Sequence, residues 1–165
     1  MLHQKYCLDA NVLIVPWQKY YSVDICPSYW ELLDKLGRSN VIFIPEQVYE
    51  EITVTEDELS LWLKSSRIPI RKTDGKVTKC LSDIFIKDPA HRRLVDSTKG
   101  RSLADPWVIA HALNERACVV TKEEKITDLR SLKVKIPNVC DNMGVRWIDD
   151  FQLIKELKIS FSCTI

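Results

Sequence analysis

Short apolar runs alternate with longer amphipathic stretches along the chain. Apolar runs of this length are typical of strands that are buried on both faces. They lie at residues 6–8, 41–44, 118–121 and 145–148. Strands that alternate with helices favour a parallel sheet, because parallel strands need crossover connections that helices usually supply. The pattern therefore predicts an α/β fold with a mostly parallel sheet.

Helix signals fill most of the intervals between these runs. Amphipathic stretches start at Pro27 and just after Pro45, and Gly37 is a natural end for the first of them. Further helices are predicted at residues 56–64, 76–86, 90–95, 105–116 and 150–157. Asp74 and Gly75 predict a turn before the helix at 76–86.

Composition and charge narrow the class of protein. The 165 residues are 45% apolar and 28% charged, which is ordinary for a globular protein and predicts one domain over residues 1–165. A net charge of +1 argues against a generally basic nucleic-acid coat, although a local basic face remains possible.

The sequence also gives an expected location. No apolar run approaches the roughly 20 residues of a membrane span. Asp9 and Asn11 interrupt the apolar run that a signal peptide would need. The six scattered cysteines contain no C-x-x-C pair. We therefore expect a protein of the reducing cytoplasm that has no membrane partner.

Acidic side chains flank the predicted strands. Asp9 comes directly after the first strand, and Asp105 begins the helix that leads into the third. One pair of glutamates, Glu50-Glu51, follows the second strand, and another pair, Glu123-Glu124, follows the third. Ligands of parallel α/β sheets collect outside the carboxyl ends of the strands, so four acidic positions could converge there. Converging carboxylates repel one another unless a cation neutralises them, and oxygen ligands alone favour Mg²⁺ or Mn²⁺.

Two explanations of these acids compete. One or two bound ions could activate water and stabilise the departing oxygen in phosphodiester cleavage. Alternatively, Asp9 could only cap the helix after it, and Asp105 could be capping chemistry with Pro106 or a capping box with Ser102. Taken singly, each position is better explained by structure. Their joint placement in successive βα units favours a hydrolytic metal site.

Several stretches of the chain resemble the PIN-domain nuclease family, specifically its toxin-like branch in bacteria and archaea. The matching stretches are YCLDAN at 6–11, IPEQVYEEI at 44–52, ADPWVIA at 104–110 and VVTKE at 119–123. A further stretch, KIPNVC at 135–140, is similar to a PIN-like subgroup usually treated as VapC-type toxins. The matches extend from residue 3 to about residue 150, and the first and third stretches are the most specific.

The resemblance implies a three-layer α/β/α sandwich with a five-stranded, mostly parallel sheet. It implies cleavage of single-stranded RNA with Mg²⁺ or Mn²⁺ as cofactor. The acidic quartet carried over is Asp9, Glu51, Asp105 and Glu123, of which Asp9, Asp105 and Glu123 would bind metal, with Asn11 and Thr121 in support.

Two positions of the quartet stay open. Glu51 is preferred because the family's acid directly precedes an apolar residue, here Ile52, and Glu50 is the reserve. Many relatives have aspartate where this chain has Glu123, so direct coordination of metal by Glu123 is open, and Glu124 is its reserve.

Two further groups of residues are candidates for binding. Residues 87–101 hold five basic and two acidic residues and form either a solvated face or a phosphate-binding segment. The RNA-binding candidates within it are Arg92, Arg93, Lys99 and Arg101. Three aromatic residues after Pro16 could stack on bases or pack against a partner, and they are Trp17, Tyr20 and Tyr21.

The leading hypothesis is a metal-dependent endoribonuclease that acts as the toxin of a type II toxin–antitoxin pair. Its expected partners are single-stranded or structured RNA, a cognate antitoxin protein and a second copy of itself in a homodimer. One alternative is a DNA or structure-specific nuclease. Another is a catalytically weak PIN-like module that binds RNA or a regulatory protein, although such a module has no use for four mutually repelling acids.

Overall fold

A single all-parallel sheet forms the centre of the computed structural model, which describes residues 4–95 and 103–165. Its strands are β1 (Tyr6–Leu8), β2 (Ile42–Pro45), β3 (Ile70–Arg71), β4 (Cys118–Val120) and β5 (Trp147–Ile148). Their spatial order is β3-β2-β1-β4-β5, and every neighbouring pair is parallel. The predicted five-stranded α/β fold is confirmed.

Helices connect the strands and cover the sheet. They are α1 (Asn11–Gln18), α2 (Pro27–Arg38), α3 (Glu46–Thr53), α4 (Glu58–Ser65), α5 (Gly75–Lys87), α6 (Asp105–Glu115), α7 (Ile136–Met143) and α8 (Asp150–Glu156). A short 3₁₀ helix spans Pro89–Leu94, where the pattern predicts an α-helix. The apolar pattern does not predict β3, because this two-residue strand lies at the sheet edge with Ile70 37% exposed.

Contacts made by β1 show that the helices lie on both faces of the sheet. The Tyr6 hydroxyl donates to Glu156 in α8, whereas the next residue, Cys7, donates through its Sγ to the Val108 carbonyl in α6. Successive strand residues point to opposite faces, so α6 and α8 cover opposite sides. The central strands β1, β2 and β4 are buried along their whole length between these layers.

Two glycine predictions need correction. Gly37 lies inside α2 and does not end it. A Cβ at this position would lie 2.6 Å from the Ile68 Cα, so Gly37 allows close packing of α2 against the segment between α4 and β3. Asp74 and Gly75 start α5 and do not form a separate turn, because the Asp74 carboxylate accepts hydrogen bonds from the amides of Lys76 and Val77.

The order of the strands creates a switch point beside β1. The chain moves outward from β1 to β2 and β3, and then returns to place β4 on the other side of β1. Connections that diverge in this way leave a crevice at the carboxyl ends of the two strands, where ligands of such folds bind. The residues at this crevice are Asp9 after β1 and Thr121 after β4.

Among residues 4–95 and 103–165, none of the helices combines the length and the apolar character needed to cross a membrane.

Candidate active site

Asp9 is the buried carboxylate at the centre of the candidate site. Only 3% of its surface is exposed. Its Oδ1 accepts a hydrogen bond of 2.7 Å from the Ala10 amide, and its Oδ2 accepts one of 2.8 Å from the Thr121 hydroxyl. The second bond joins the carboxyl ends of β1 and β4 directly across the switch point.

Asp9 does not cap α1 in the usual way. The N-cap residue of α1 is Ala10, and no side chain caps this helix. A capping aspartate accepts from the second or third amide of its helix, whereas the Asp9 side chain accepts from the residue that precedes Asn11. The capping explanation of Asp9 therefore has no support in these contacts.

Asp105 lies at the same edge of the sheet. It is the first residue of α6, it is 8% exposed, and the N-cap position belongs to Ala104. Because α6 ends just before β4 begins, its first turn lies at the carboxyl edge of the sheet. The pKa of Lys135 is raised chiefly by its hydrogen bond with Glu123, and the negative charges of Asp105 and Asp9 add to this increase. The capping-box partner Ser102 lies outside the described residues.

Asn11 and Thr121 form hydrogen bonds between the segment after β1 and the segment after β4. The Asn11 side-chain oxygen accepts from the Lys122 amide at 2.9 Å. The Thr121 hydroxyl oxygen accepts from the Glu123 amide at 3.1 Å while its hydrogen goes to Asp9. These contacts hold the segment after β4 against the segment after β1.

Glu123 is engaged by two donors. Its Oε1 lies 3.0 Å from the Lys135 ammonium, and its Oε2 accepts from the Ile136 amide at the start of α7 at 2.8 Å. Glu124 is exposed to solvent. It lies on the irregular segment between β4 and α7, where there is no helix.

Helix geometry separates Glu51 from Glu50. Val48 and Ile52 mark the buried face of α3. With 3.6 residues per turn, Glu51 projects about 80° from the middle of that face and Glu50 about 180° from it. Both residues are exposed, yet the protein around the Glu51 carboxyl raises its pKa, and its charge raises the pKa of Asp9.

Burial dominates the electrostatics of Asp9. Desolvation raises its pKa to about 7, and the charges of Glu123 and Glu51 add to the increase. The hydrogen bonds from Thr121 and Ala10 act in the opposite direction, because they stabilise the ionised form. Asp9 is therefore a carboxylate that lacks sufficient compensating positive charge.

The donor set suits a hard cation in its chemistry, but it is sparse. Among residues 4–95 and 103–165, no three His, Cys, Asp or Glu side chains are grouped closely enough to hold a metal ion. Magnesium is often bound through only one or two carboxylates, with waters and substrate phosphates as the other ligands. Each Asp9 oxygen accepts one hydrogen bond and keeps a second lone pair. The chemistry of Asp9 therefore suits such a minimal oxygen-ligand centre, and Asp105 is a second carboxylate at the same edge of the sheet.

The basic segment lies partly within the described residues. Arg92 and Arg93 are exposed on the 3₁₀ helix, and the Arg92 guanidinium lies 5.1 Å from the centre of the Phe85 ring. His91 anchors this helix, because its Nε2 lies 3.0 Å from the Asn142 side-chain nitrogen near the end of α7. The other two candidates, Lys99 and Arg101, lie outside the described residues.

The three aromatic candidates are packed within the chain. Trp17 contacts Trp30 with ring centroids 4.6 Å apart, and Tyr21 stacks on Tyr29 at 4.4 Å. The Tyr20 hydroxyl donates to Asp150 at 2.7 Å. All three side chains are half-buried and make these contacts within the chain.

Lys135 is the site residue that sequence reasoning missed. It opens the KIPNVC stretch, twelve positions after Glu123, and no strand or helix spans the interval between β4 and α7. A pattern of apolar positions cannot show that such an interval folds back on itself. The available signal was the basic residue immediately before the Ile-Pro start of a helix.

Comparisons with known proteins support the fold. The family model described as "Domain of unknown function (DUF4411)" matches residues 6–161. No curated protein matches the chain. A chain in the crystal structure of VapBC2 from Rickettsia felis bound to a DNA fragment from their promoter is 19% identical, with a TM-score of 0.54. The match covers 88% of this chain and 98% of that one, and at this identity it shows a shared fold.

The raised pKa of Asp9 predicts how stability depends on pH. Because the folded-state pKa of about 7 exceeds the ordinary value of about 3.9, the folded protein binds this proton more tightly than the unfolded chain. The resulting stabilisation is fully present below about pH 4 and is lost as the pH rises to about 7. In EDTA, the melting temperature of the Asp9→Asn variant should therefore fall less between pH 4 and pH 7 than that of wild type. At pH 8 the variant should melt at a temperature no lower than that of wild type.

The matched control for this measurement is Asp24→Asn, at an exposed position. This variant should keep the wild-type pH dependence. An Asp9→Asn profile that is parallel to wild type from pH 4 to 8 would mean that Asp9 ionises like an exposed aspartate.

Proposed function

The chain belongs to the family described as a domain of unknown function (DUF4411), and we propose that it is a metal-dependent endoribonuclease that cleaves single-stranded RNA. The observation that carries the proposal is the position of Asp9. It is a buried carboxylate at the switch point, and its pKa is raised by burial and by the charges of Glu123 and Glu51. Such a group is costly to ionise unless a cation compensates it.

Asp9 and Asp105 would hold the divalent ion in this proposal, with Mg²⁺ or Mn²⁺ as the ion suited to oxygen ligands. When bound, such an ion supplies activation of water and stabilisation of the departing oxygen. The chain's own residues orient the carboxylates. Thr121 and the Ala10 amide fix the two oxygens of Asp9.

The remaining acids have different roles in the proposal. Glu51 lies beside the buried face of α3 and influences Asp9, so it can accept a proton from the attacking water. Glu123 is already held by Lys135 and the Ile136 amide, so its proposed role is to support the site and not to be the main metal ligand. Asn11 holds the loop after β4 in place through the Lys122 amide.

The proposed biological setting is a type II toxin–antitoxin pair in the cytoplasm, with a cognate antitoxin protein and a homodimer of this chain. The support for this setting is the motif resemblance to the toxin-like PIN branch, together with the fold shared with a chain of the VapBC2 structure. The likeness to that chain supports the architecture, and the partners are part of the proposal.

One observation favours a second candidate function. Glu123 has both oxygens occupied, and the described residues offer no ready group of three metal ligands. A catalytically weak module that binds RNA or a regulatory protein would have a site of this kind. Cleavage of RNA, as opposed to binding alone, separates the two functions.

The test is cleavage of a labelled RNA panel by the purified chain, with single-stranded DNA and duplexes alongside. We predict cleavage of single-stranded RNA in Mg²⁺ or Mn²⁺ and none in EDTA. Asp9→Asn and Glu51→Gln should each lower the rate about 100-fold or more, as expected for loss of an essential carboxylate. Glu50→Gln is the matched control and should remain close to wild type, because Glu50 projects away from the buried face of α3.

Three outcomes would contradict parts of this proposal. Binding of RNA without cleavage in either metal would favour the non-catalytic module. Preferential cleavage of DNA would show that the substrate is DNA and not RNA. Loss of activity in Glu50→Gln with full activity in Glu51→Gln would make Glu50 the catalytic glutamate in place of Glu51.

We also propose that Arg92 and Arg93 contact the RNA backbone. Both side chains are exposed on the anchored 3₁₀ helix. Arg92→Ala and Arg93→Ala should weaken binding of unrelated RNA sequences equally, and each should reduce the slope of log affinity against log salt by about 0.7. Lys64→Ala, on α4, is the control. Unchanged slopes in the arginine variants would make this segment a solvated face.

A further inference from the structure

Lys135 brings a fixed positive charge to the carboxylates of the site. It directly precedes α7, and its Nζ donates a hydrogen bond of 3.0 Å to Glu123 Oε1. The amide of the next residue, Ile136, donates to the other oxygen of the same carboxylate. Glu123 is thus fixed by two donors and in turn holds the ammonium group in place.

Hydrogen bonds connect this ion pair to Asp9. The Glu123 amide donates to the Thr121 hydroxyl oxygen at 3.1 Å, and the Thr121 hydroxyl donates to Asp9 at 2.8 Å. The charges of Asp105 and Asp9 also favour the protonated form of Lys135 and raise its pKa. The ammonium therefore lies within the electrostatic field of three acids of the quartet.

The neighbouring lysine does not take this role. Lys122 follows Thr121 directly, but its Nζ donates to the buried Asp150 at 2.8 Å. Its ammonium also lies 4.6 Å from the centre of the Phe151 ring. Lys122 is therefore used in packing α8 against the sheet.

Lys135 keeps the capacity to bind a ligand. An ammonium group has three donors, and within the described part of the chain its hydrogen-bond partner is Glu123. The Lys135 side chain is 42% exposed, whereas that of Glu123 is only 13% exposed. The Lys135 side chain is therefore partly accessible from solvent while it is paired with the more buried Glu123.

We propose that Lys135 is the phosphate-binding residue of this site, where its ammonium contacts an oxygen of the phosphate that is cleaved. The inference rests on the proposed function. In hydrolysis, the water oxygen bonds to phosphorus and its proton passes to Glu51. The bond to the departing sugar oxygen breaks with its electron pair left on that oxygen, which takes up a proton from solvent. Lys135 keeps its own proton throughout. Its fixed charge offsets the negative charge that develops on the phosphate oxygens in the transition state.

This role explains why a site of repelling acids would contain its own cation. RNA phosphates approach carboxylates at an electrostatic cost, and an ammonium among them lowers that cost before chemistry begins. The charge of Glu123 is already neutralised by Lys135, so Glu123 does not need a metal ion as its partner. This agrees with the absence of a group of three metal ligands among the described residues.

The test uses the full chain and a single-stranded RNA oligonucleotide. Binding is measured by fluorescence anisotropy in EDTA across a range of salt concentrations, and cleavage is measured in Mg²⁺ with enzyme in excess. The variants are Lys135→Gln, Lys135→Arg, Glu123→Gln, the double variant Lys135→Gln/Glu123→Gln, and Lys133→Gln as the matched control at an exposed position two residues earlier. Melting temperatures confirm that each variant folds.

Lys135→Gln should weaken RNA binding and lower the salt slope by about 0.7, the value for one lost contact to a single strand. The double variant should show the same loss relative to Glu123→Gln. Lys135→Gln should also slow cleavage about 100-fold, as expected for loss of one donor to the transition state, whereas Lys135→Arg should retain more activity. Lys133→Gln should match wild type.

The double variant separates a phosphate contact from simple neutralisation of Glu123. If it binds RNA with the affinity and salt slope of Glu123→Gln, Lys135 acts only on Glu123 and the inference is overturned. If wild type cleaves no RNA but Lys135→Gln still loses salt slope, the proposed hydrolysis fails and the phosphate contact stands. Unchanged slopes in every Lys135 variant overturn the contact itself, whatever the cleavage rates.

Discussion

The hydrogen bond from the Thr121 hydroxyl to the Asp9 carboxylate is the contact on which the candidate site depends. It connects the ends of the two central strands that diverge at the switch point. The same hydroxyl oxygen accepts the Glu123 amide, and Glu123 is in turn bound to Lys135. Acids that are far apart in the sequence are brought together through this one threonine. A valine there would keep the shape of the side chain but leave Asp9 buried without this donor.

The site combines a stability cost with a functional gain. Burial and neighbouring charges disfavour ionised Asp9, and the two hydrogen bonds to its oxygens only partly offset this. The chain supplies an internal cation, Lys135, for Glu123. Carboxylates whose ionised form is disfavoured in this way are common where proteins bind ions or catalyse reactions, because the ligand supplies the compensating charge.

Much of the fold was predictable because its central strands are short, apolar and fully buried. The run at 6–8 coincides with β1, and Pro27 does open α2. The position of Asp9 after β1 was equally readable, since parallel sheets place such residues at their carboxyl edge. Gly37 was misjudged because its role depends on Ile68, which approaches from a distant part of the chain. Lys135 was missed for the same reason: its contact with Glu123 closes an interval without regular structure.

The proposed metal centre is tested most directly by a crystal structure of the chain grown in Mn²⁺, with the ion located by its anomalous scattering. We expect one ion bound by both Asp9 and Asp105 at about 2.0–2.2 Å, the range for hard six-coordinate ions. Lys135 should remain paired with Glu123 beside that ion. Manganese bound elsewhere, or an ion that touches neither carboxylate at full occupancy, would contradict the proposal that these two acids form the metal centre.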